Sequence, residues 1–400
     1  MPLIAPRMGR FKLSASTAAS ARARELKAKG LDIIALTVGE PDFPTPDNIK
    51  QAAVRAMEKN ETKYTATDGT LQLREAIRAK FKRDNGLDYP IDQITVGNGA
   101  KQVIANALVA TVTQGDEVIV PAPYWITYPA LVQMAGGTPV YVPCPQNNGF
   151  RLRPEDLEAA ITPKTKWLLL NSPGNPTGTI YSRADIRALA DVLLKHPHVW
   201  ILADDIYEHL RFDGHEFTTI AQIEPKLFDR TVTVNGFSKA YSMTGWRLGY
   251  AGVPKQLIKE MTKMQSQISS APSSISQAAG VEALNGTQEV LAERNRIMQE
   301  RRDTIFPILS RIKGLSAHKP EGAIYIYCNC AGFLGKRTPQ GKIIETDEDF
   351  TVYLLEAANV AVVHGAAYGL SPYIRVSFAI DAKVLEEAGR RIEKACAALT

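Results

Sequence analysis

The stretch "GFSKAYSMTGWRLG", residues 236–249, closes the apolar run "TVTVN" with a lysine among small residues and carries Arg247 further on. An ammonium at the end of a buried strand is costly unless it has a partner or a chemical use. Lys239 is therefore a candidate nucleophile or base. Three other strand ends carry polar or aromatic candidates: Asp204 and Tyr207 in "LADDIYEHL", Trp125 in "APYWITYP" and Asn175 in "NSPGNPTG". Each also has a plain structural reading. Asp204 could cap a helix, Tyr207 and Trp125 could be core aromatics, and Asn175 could belong to a turn rich in Asn, Pro and Gly. In "ITVGNGAKQVIANALVATV" a strand, a glycine turn and a helix follow one another, placing the amides of Gly99 and Ala100 at a helix N-terminus. Such an end can bind phosphate, or it can simply connect strand to helix. The third glycine of a dinucleotide fingerprint is missing, and so is a P-loop.

The elements that must carry these residues are legible as a rhythm. "QITVGN", "DEVIVPAP", "KWLLLNSP", "VWILADD" and "TVTVNGFS" are short runs, apolar on both faces, each followed by a turn or a helical segment. This predicts a parallel sheet covered by helices on both sides, in which ligands bind beyond the carboxyl ends of the strands. A long charged helix over 288–311 is expected to lead out of this sheet. Beyond it "GAIYIYCNC", "VAVVHG" and "YIRVSFAI" read as strands of a smaller unit, interrupted by the polar loop "GFLGKRTPQGKIIETDED". A chain of 400 residues exceeds what one core usually organises. The division expected is 1–40, an N-terminal arm and part of the small domain; 41–295, the large domain; and 296–400, the small C-terminal domain.

Composition excludes several classes. Hydrophobic residues make up 45% and charged residues 22%, and no apolar run reaches the length of a membrane span. The net charge of +5 is small and its basic residues are scattered, so a nucleic-acid surface is not indicated. Cys144, Cys328, Cys330 and Cys396 lack metal-ligand spacing and form no disulfide framework, which points to a reducing compartment and no metal. The first thirty residues are rich in Arg and Ser with no acid before Glu25, as targeting peptides are; the better reading is a plain helix, since the pattern over 20–29 continues into a structured segment.

Taken together, a lysine, a phosphate-reading helix end, an arginine, an aspartate and a flat aromatic at one sheet edge suit a phosphorylated aromatic aldehyde held by the lysine as a Schiff base. The motifs "GEPDFPTP", "NSPGNPTG", "DDIYEHL", "GFSKAYSMTGWRLG" and "YIRVSF", in this order, resemble the class I pyridoxal-phosphate aminotransferases over nearly the whole chain. "ETKYTATDG", "GAKQ", "PAPYW", "TPKTKW" and "AVVHG" are most similar to the bacterial aspartate aminotransferase subgroup of alpha-proteobacterial type, some of which also accept prephenate.

The resemblance implies an α/β chain of fold type I among the pyridoxal-phosphate-dependent transferases, with a mainly parallel sheet between helices in the large domain and a smaller α/β domain. It makes Lys239 the Schiff-base lysine and proton shuttle, Asp204 the partner of the pyridine nitrogen, Tyr207 and Asn175 the partners of the ring oxygen, and Trp125 the stacking aromatic. Arg247 would hold the phosphate with Gly99, Ala100, Lys101 and Ser238, and Tyr64 would reach the phosphate of a neighbouring subunit in a homodimer. Arg375 would clamp the substrate α-carboxylate beside the Gly39 backbone, while Lys101, with Lys12 from the arm, would read a second carboxylate; Trp125 and Asn175 would also face the substrate. Aspartate, 2-oxoglutarate and, further, aromatic acids or prephenate are the substrates implied, in the cytoplasm. The chain departs from its relatives at Leu13, commonly a proline, and in "SQISSAPSSISQAAG", where a tryptophan is common near Ala278. A carbon-sulfur lyase on the same fold would need no Lys101. A ligand-sensing regulator would need a DNA-binding module, for which the segment ahead of Ile33 is too short.

Overall fold

The structure, a computed structural model, describes residues 3–400. Helix Ala15–Ala28 leads to the two-residue strand β1 (Ile34–Ala35). The main sheet then takes β2 (Ile94–Gly97), β3 (Glu117–Ala122), β4 (Thr138–Pro143), β5 (Thr165–Asn171), β6 (Trp200–Asp204), β7 (Thr231–Gly236) and β8 (Gly249–Gly252). Their order is β2-β8-β7-β6-β5-β3-β4, and only β8 runs antiparallel to its neighbours. The sheet is therefore mainly parallel, as the apolar runs imply.

Alternation along the strands explains why those runs are continuous. Val118 and Val120 of β3 and Trp167 and Leu169 of β5 pack with helix Ala100–Thr111 on one face. Ile119, Leu168 and Leu170 turn to the other face, against helix Arg183–Lys195. With both faces buried, the middle of each of these two strands is apolar without a break. Removing one such side chain, as in Leu169→Ala, costs about 2–5 kcal/mol.

The second sheet is antiparallel in the order β12-β13-β10-β9, built from β9 (Ser316–Ala317), β10 (Tyr325–Asn329), β12 (Val363–His364) and β13 (Tyr373–Ser377). The run "VAVVHG", expected as one strand, is split: β11 (Val360–Ala361) pairs in parallel with β1, and only β12 joins β13. A single run thereby ties the N-terminal segment to the second sheet. The polar loop after β10 also ends earlier than its composition suggests, because Thr346 and Asp349 form a capping box that starts helix Asp347–Ala358. The long helix Glu289–Arg311 follows the expected span, with Gln288 as its N-cap. Its charge is not all solvated: Arg302 is fully buried, bonded to Asp213 and Asp303 and lying over Phe212.

Two glycines of the main sheet are dictated by close approach. A β-carbon on Gly249 would collide with the backbone of Gly99 and Ala100, and one on Gly252 would enter the ring of Tyr89. β8 thus lies flat against the turn that begins helix Ala100–Thr111.

Candidate active site

The carboxyl ends of β3, β5, β6 and β7 open into one cavity of about 320 Å³. Trp125 comes from the turn after β3, Asn171 and Asn175 from β5 and its following turn, Asp204 and Tyr207 from β6 and the turn beyond it, and Ser238 and Lys239 from just after β7. Ala100 and Lys101 enter from the helix N-terminus, Arg247 from the residue pair ahead of β8, and Arg375 from β13 of the second sheet. Gly39 closes the wall between the two sheets.

Asp204 is buried, and the Tyr128 hydroxyl donates to its Oδ2 at 2.5 Å. Its Oδ1 is buried without a protein partner. Burial raises the carboxyl to about 6 against the pull of the Tyr128 bond. Asn171 Nδ2 donates to the Asp204 carbonyl at 2.8 Å, and its Oδ1 accepts from the Asn175 amide at 2.9 Å, so the ends of β5 and β6 are laced together. Lys239 Nζ donates to the Gly39 carbonyl at 2.6 Å. Burial brings this lysine down to about 8; Glu40 opposes the fall, and Arg375 and Arg247 add to it. A lysine tuned in this way has a sizeable neutral fraction near neutrality, which nucleophilic and base chemistry both require.

At the helix N-terminus Gly99 has φ 82°, and a β-carbon there would press on the Arg247 guanidinium. Arg247 itself has φ 52°, a left-handed conformation that non-glycine residues rarely hold outside sites where it is needed. Its Nη1 donates to the Thr244 carbonyl at 3.0 Å. Lys101 Nζ stands 5.1 Å from the Trp125 ring centroid, and partial burial together with Arg247 holds it below the usual lysine value. Arg375 is buried between the rings of Tyr325 and Tyr368, at 4.4 and 4.9 Å. It donates to Asn175 Oδ1 at 3.1 Å and to the Thr37 carbonyl at 2.5 Å, while its Nε has no partner.

The residues singled out in the sequence are not all brought together. Lys239, Asp204, Tyr207, Asn175, Trp125, Ala100, Lys101, Ser238, Arg247, Arg375 and Gly39 line the cavity. Gly99 lies behind Arg247. Lys12 is exposed outside the lining, and Tyr64 is almost wholly exposed, away from its own chain's cavity. Sequence reasoning missed Tyr128 and Asn171, which brace Asp204, and Tyr325 and Ser16, which reach Arg375. The one signal for Ser16 was its place near the start of a helix. One group of possible metal ligands among the described residues, Asp84, Glu208 and His209, lies elsewhere, and there Glu208 is already bonded by Lys80, Asn85 and Asn235.

Residues 31–392 match the family Aminotransferase class I and II. The chain belongs to that family. This aminotransferase is similar over its full length, at 54% identity and with all of both chains covered, to a probable aspartate/prephenate aminotransferase of Rhizobium leguminosarum bv. phaseoli. Its fold matches the crystal structure of the aspartate aminotransferase from Rhizobium meliloti with a TM-score of 0.97, at 55% identity and complete coverage of both chains. It also matches the aspartate aminotransferase of Thermus thermophilus with maleate, with a TM-score of 0.91 at 38% identity, covering 99% of this chain and 100% of that one.

Enzymes of this class depend on pyridoxal phosphate, and the aminotransferase has a site that fits it. The orphaned Oδ1 of Asp204 can accept from a protonated ring nitrogen. Arg247 and the amides of Ala100 and Lys101 at the start of helix Ala100–Thr111 suit a phosphate, whereas the Gly99 amide expected to join them donates to the Gly97 carbonyl at 2.7 Å; Lys239 suits an aldehyde. No helix among the described residues is long and apolar enough to cross a membrane.

Proposed function

We propose that this aminotransferase acts on dicarboxylic amino acids, taking the amino group of aspartate and passing it to 2-oxoglutarate, with aromatic amino acids or the prephenate/arogenate pair as further substrates. The observation that carries this is a pair of cations at opposite ends of one cavity, Arg375 at the second sheet and Lys101 at the helix N-terminus. The names of the Rhizobium relatives and the maleate held by the Thermus enzyme agree with it.

Arg375 binds the α-carboxylate with its planar fork, and Gly39 adds a backbone contact. Lys101, with Lys12 from the arm, binds the second carboxylate. Arg247, Ser238 and the amides of Ala100 and Lys101 hold the cofactor phosphate. Trp125 stacks on its ring, Tyr207 and Asn175 donate to its ring oxygen, and Asp204 accepts from its ring nitrogen. When bound, pyridoxal phosphate supplies the electron sink for the pair left at the substrate's α carbon. Lys239 Nζ, neutral in a sizeable fraction of molecules, removes the α proton and later returns it. Asp204 sustains the positive charge opposite it only while ionised, which its value of about 6 allows at neutral pH.

The working unit is a homodimer in which Tyr64 reaches the neighbouring phosphate. Its near-complete exposure, away from its own cavity, supports this. A cytoplasmic setting is supported by four free, buried cysteines. The division at 40 and 295 is supported by the buried cluster that joins Ile34 and Leu36 to Met298 and the strands and helices beyond it, to which the large domain adds Tyr207, Leu210 and Phe212 at the boundary.

A half-reaction panel tests the reading. Single amino acids are mixed with the holoenzyme and conversion of the cofactor to its amine form is followed by absorbance. Aspartate and glutamate should convert it fastest. Equal rates with alanine and leucine, or release of a keto acid with the cofactor left in its starting form, would overturn dicarboxylate amino transfer.

A further inference from the structure

Tyr325 is buried in β10 and lines the cavity, yet the roles above leave it unused. Its hydroxyl lies 2.8 Å from that of Tyr207, with the rings edge to face at 5.9 Å and 81°. Its ring carries the Arg375 guanidinium at 4.4 Å, a placement set by register: Tyr327 faces Arg375 across β10 and β13, and Tyr325 lies two residues along the same strand face. Gly39 confines the hydroxyl from the other side, since a β-carbon there would collide with it. Tyr207 is its one hydrogen-bond partner among the described residues.

We infer that Tyr325 couples the substrate clamp to the cofactor, its hydroxyl donating to Tyr207 while its ring senses the charge on Arg375. The inference rests on the reading of Tyr207 and Arg375 given above. Two touching hydroxyls share one hydrogen between their oxygens. For Tyr207 to turn its own hydrogen toward the cofactor ring oxygen, Tyr325 must be the donor of the pair. A cation over a phenol face draws density from the ring and strengthens its O–H as a donor. Arg375 accordingly opposes the rise that burial gives Tyr325 and Tyr207. A carboxylate bound at Arg375 cancels part of that charge and slackens the donor.

Asn175 offers a direct route from Arg375 in parallel, so the two routes must be separated by substitution. The charged and titratable groups facing this cluster are Asp204, Lys239, Glu40, Arg247, Arg375, Tyr128 and, on the other side of Arg375, Tyr368. Tyr325 is a positioning residue, and its effect is read at the chromophore.

The experiment titrates the visible absorbance of the lysine-linked cofactor against pH in the holoenzyme, alone and with saturating succinate, a dicarboxylate with no amino group to transfer. In the unaltered enzyme succinate should raise the midpoint, because Arg375 is among the charges that hold Lys239 down. Tyr325→Phe keeps the ring under Arg375 and deletes the hydroxyl. Its midpoint without succinate should rise by about half a unit, since a donor to the ring oxygen favours the form with more negative charge there. The succinate shift should shrink, and kcat should fall roughly three- to tenfold at nearly unchanged KM. Tyr325→Leu, which removes the ring as well, should raise KM for every amino acid.

A Tyr325→Phe enzyme with the original midpoint and the original succinate shift would overturn the coupling. So would one whose KM rises as in Tyr325→Leu, because the hydroxyl would then serve packing. Tyr207→Phe separates the two levels of the argument. If its midpoint does not move, the placement of Tyr207 falls and this inference with it. If it moves and that of Tyr325→Phe does not, the coupling alone falls.

Discussion

Asp204, Tyr207, Asn175 and Arg375 are buried at the floor of the cavity, whereas Lys101 and Arg247 at its rim, and Lys12 and Tyr64 beyond it, face solvent. The floor is over-determined within one chain. Asp204 is held by Tyr128 and Asn171, and Arg375 by Asn175, Thr37 and two aromatic faces. The rim has fewer such partners: Lys101 has one ring beside it, and Arg247 keeps its place through contacts to the Thr244 and Asn98 carbonyls and an unusual backbone conformation. The difference separates two tasks. Low dielectric at the floor tunes acidity, which needs fixed neighbours, while charge at the rim, on the function proposed, would select among substrates and can be altered without disturbing the core.

The largest effect should come from the floor. Lys239→Ala should still bind the phosphate and ring but lose the visible band of the lysine-linked cofactor, with turnover down by several orders of magnitude, since proton transfer alone contributes roughly 10²–10⁴-fold. Turnover of aspartate by this variant at near-normal rate would remove Lys239 from the chemistry. Next comes the acidity of the same lysine. Capture of added pyridoxal phosphate by the apoenzyme should quicken as pH rises, with its midpoint near 8, and level off above that, because burial has lowered the lysine to about 8 and the neutral amine accumulates through that value. A rate still climbing tenfold per unit at pH 9 would mean the floor does not tune it.

At the rim effects should be smaller and selective. Lys101→Ala should weaken aspartate and glutamate roughly ten- to a hundredfold, the worth of a charge-assisted hydrogen bond, and leave phenylalanine nearly untouched. Equal losses for aspartate and phenylalanine would assign Lys101 to the phosphate or the fold instead. Lys12→Ala should produce the same selectivity on a scale of a few-fold if the arm folds over the site. An unchanged KM for aspartate would make it an ordinary solvated charge.

Strands buried on both faces announced themselves in the sequence, and so did the residues that follow them, because a polar side chain at the end of an apolar run has few structural uses. What stayed hidden has physical causes. β4 is an edge strand with prolines inside it and half-exposed side chains, so it lacks the continuous apolar run of its neighbours. β8, "GYAG", is too rich in glycine to read as a strand, because its flatness against Gly99 and Ala100 is what the fold requires of it. Tyr128 and Tyr325 look like core aromatics in "WITYP" and "GAIYIYCNC"; their hydroxyls matter only once the sheets place them against Asp204 and Tyr207. Ser16 meets Arg375 across the whole length of the chain, a contact no local pattern encodes.

The flat seat of β8 also affects how a mutational screen of this enzyme would look. Gly249 does not line the cavity, yet any side chain there must displace the turn of Gly99 and Ala100 that starts the helix proposed to hold the phosphate. Variants at this position should be recovered among those with lost cofactor retention, alongside Arg247, and should retain their main sheet by circular dichroism. Hits gathered only by loss of cofactor would therefore draw a contact map larger than the true one, with its false edge running along β8.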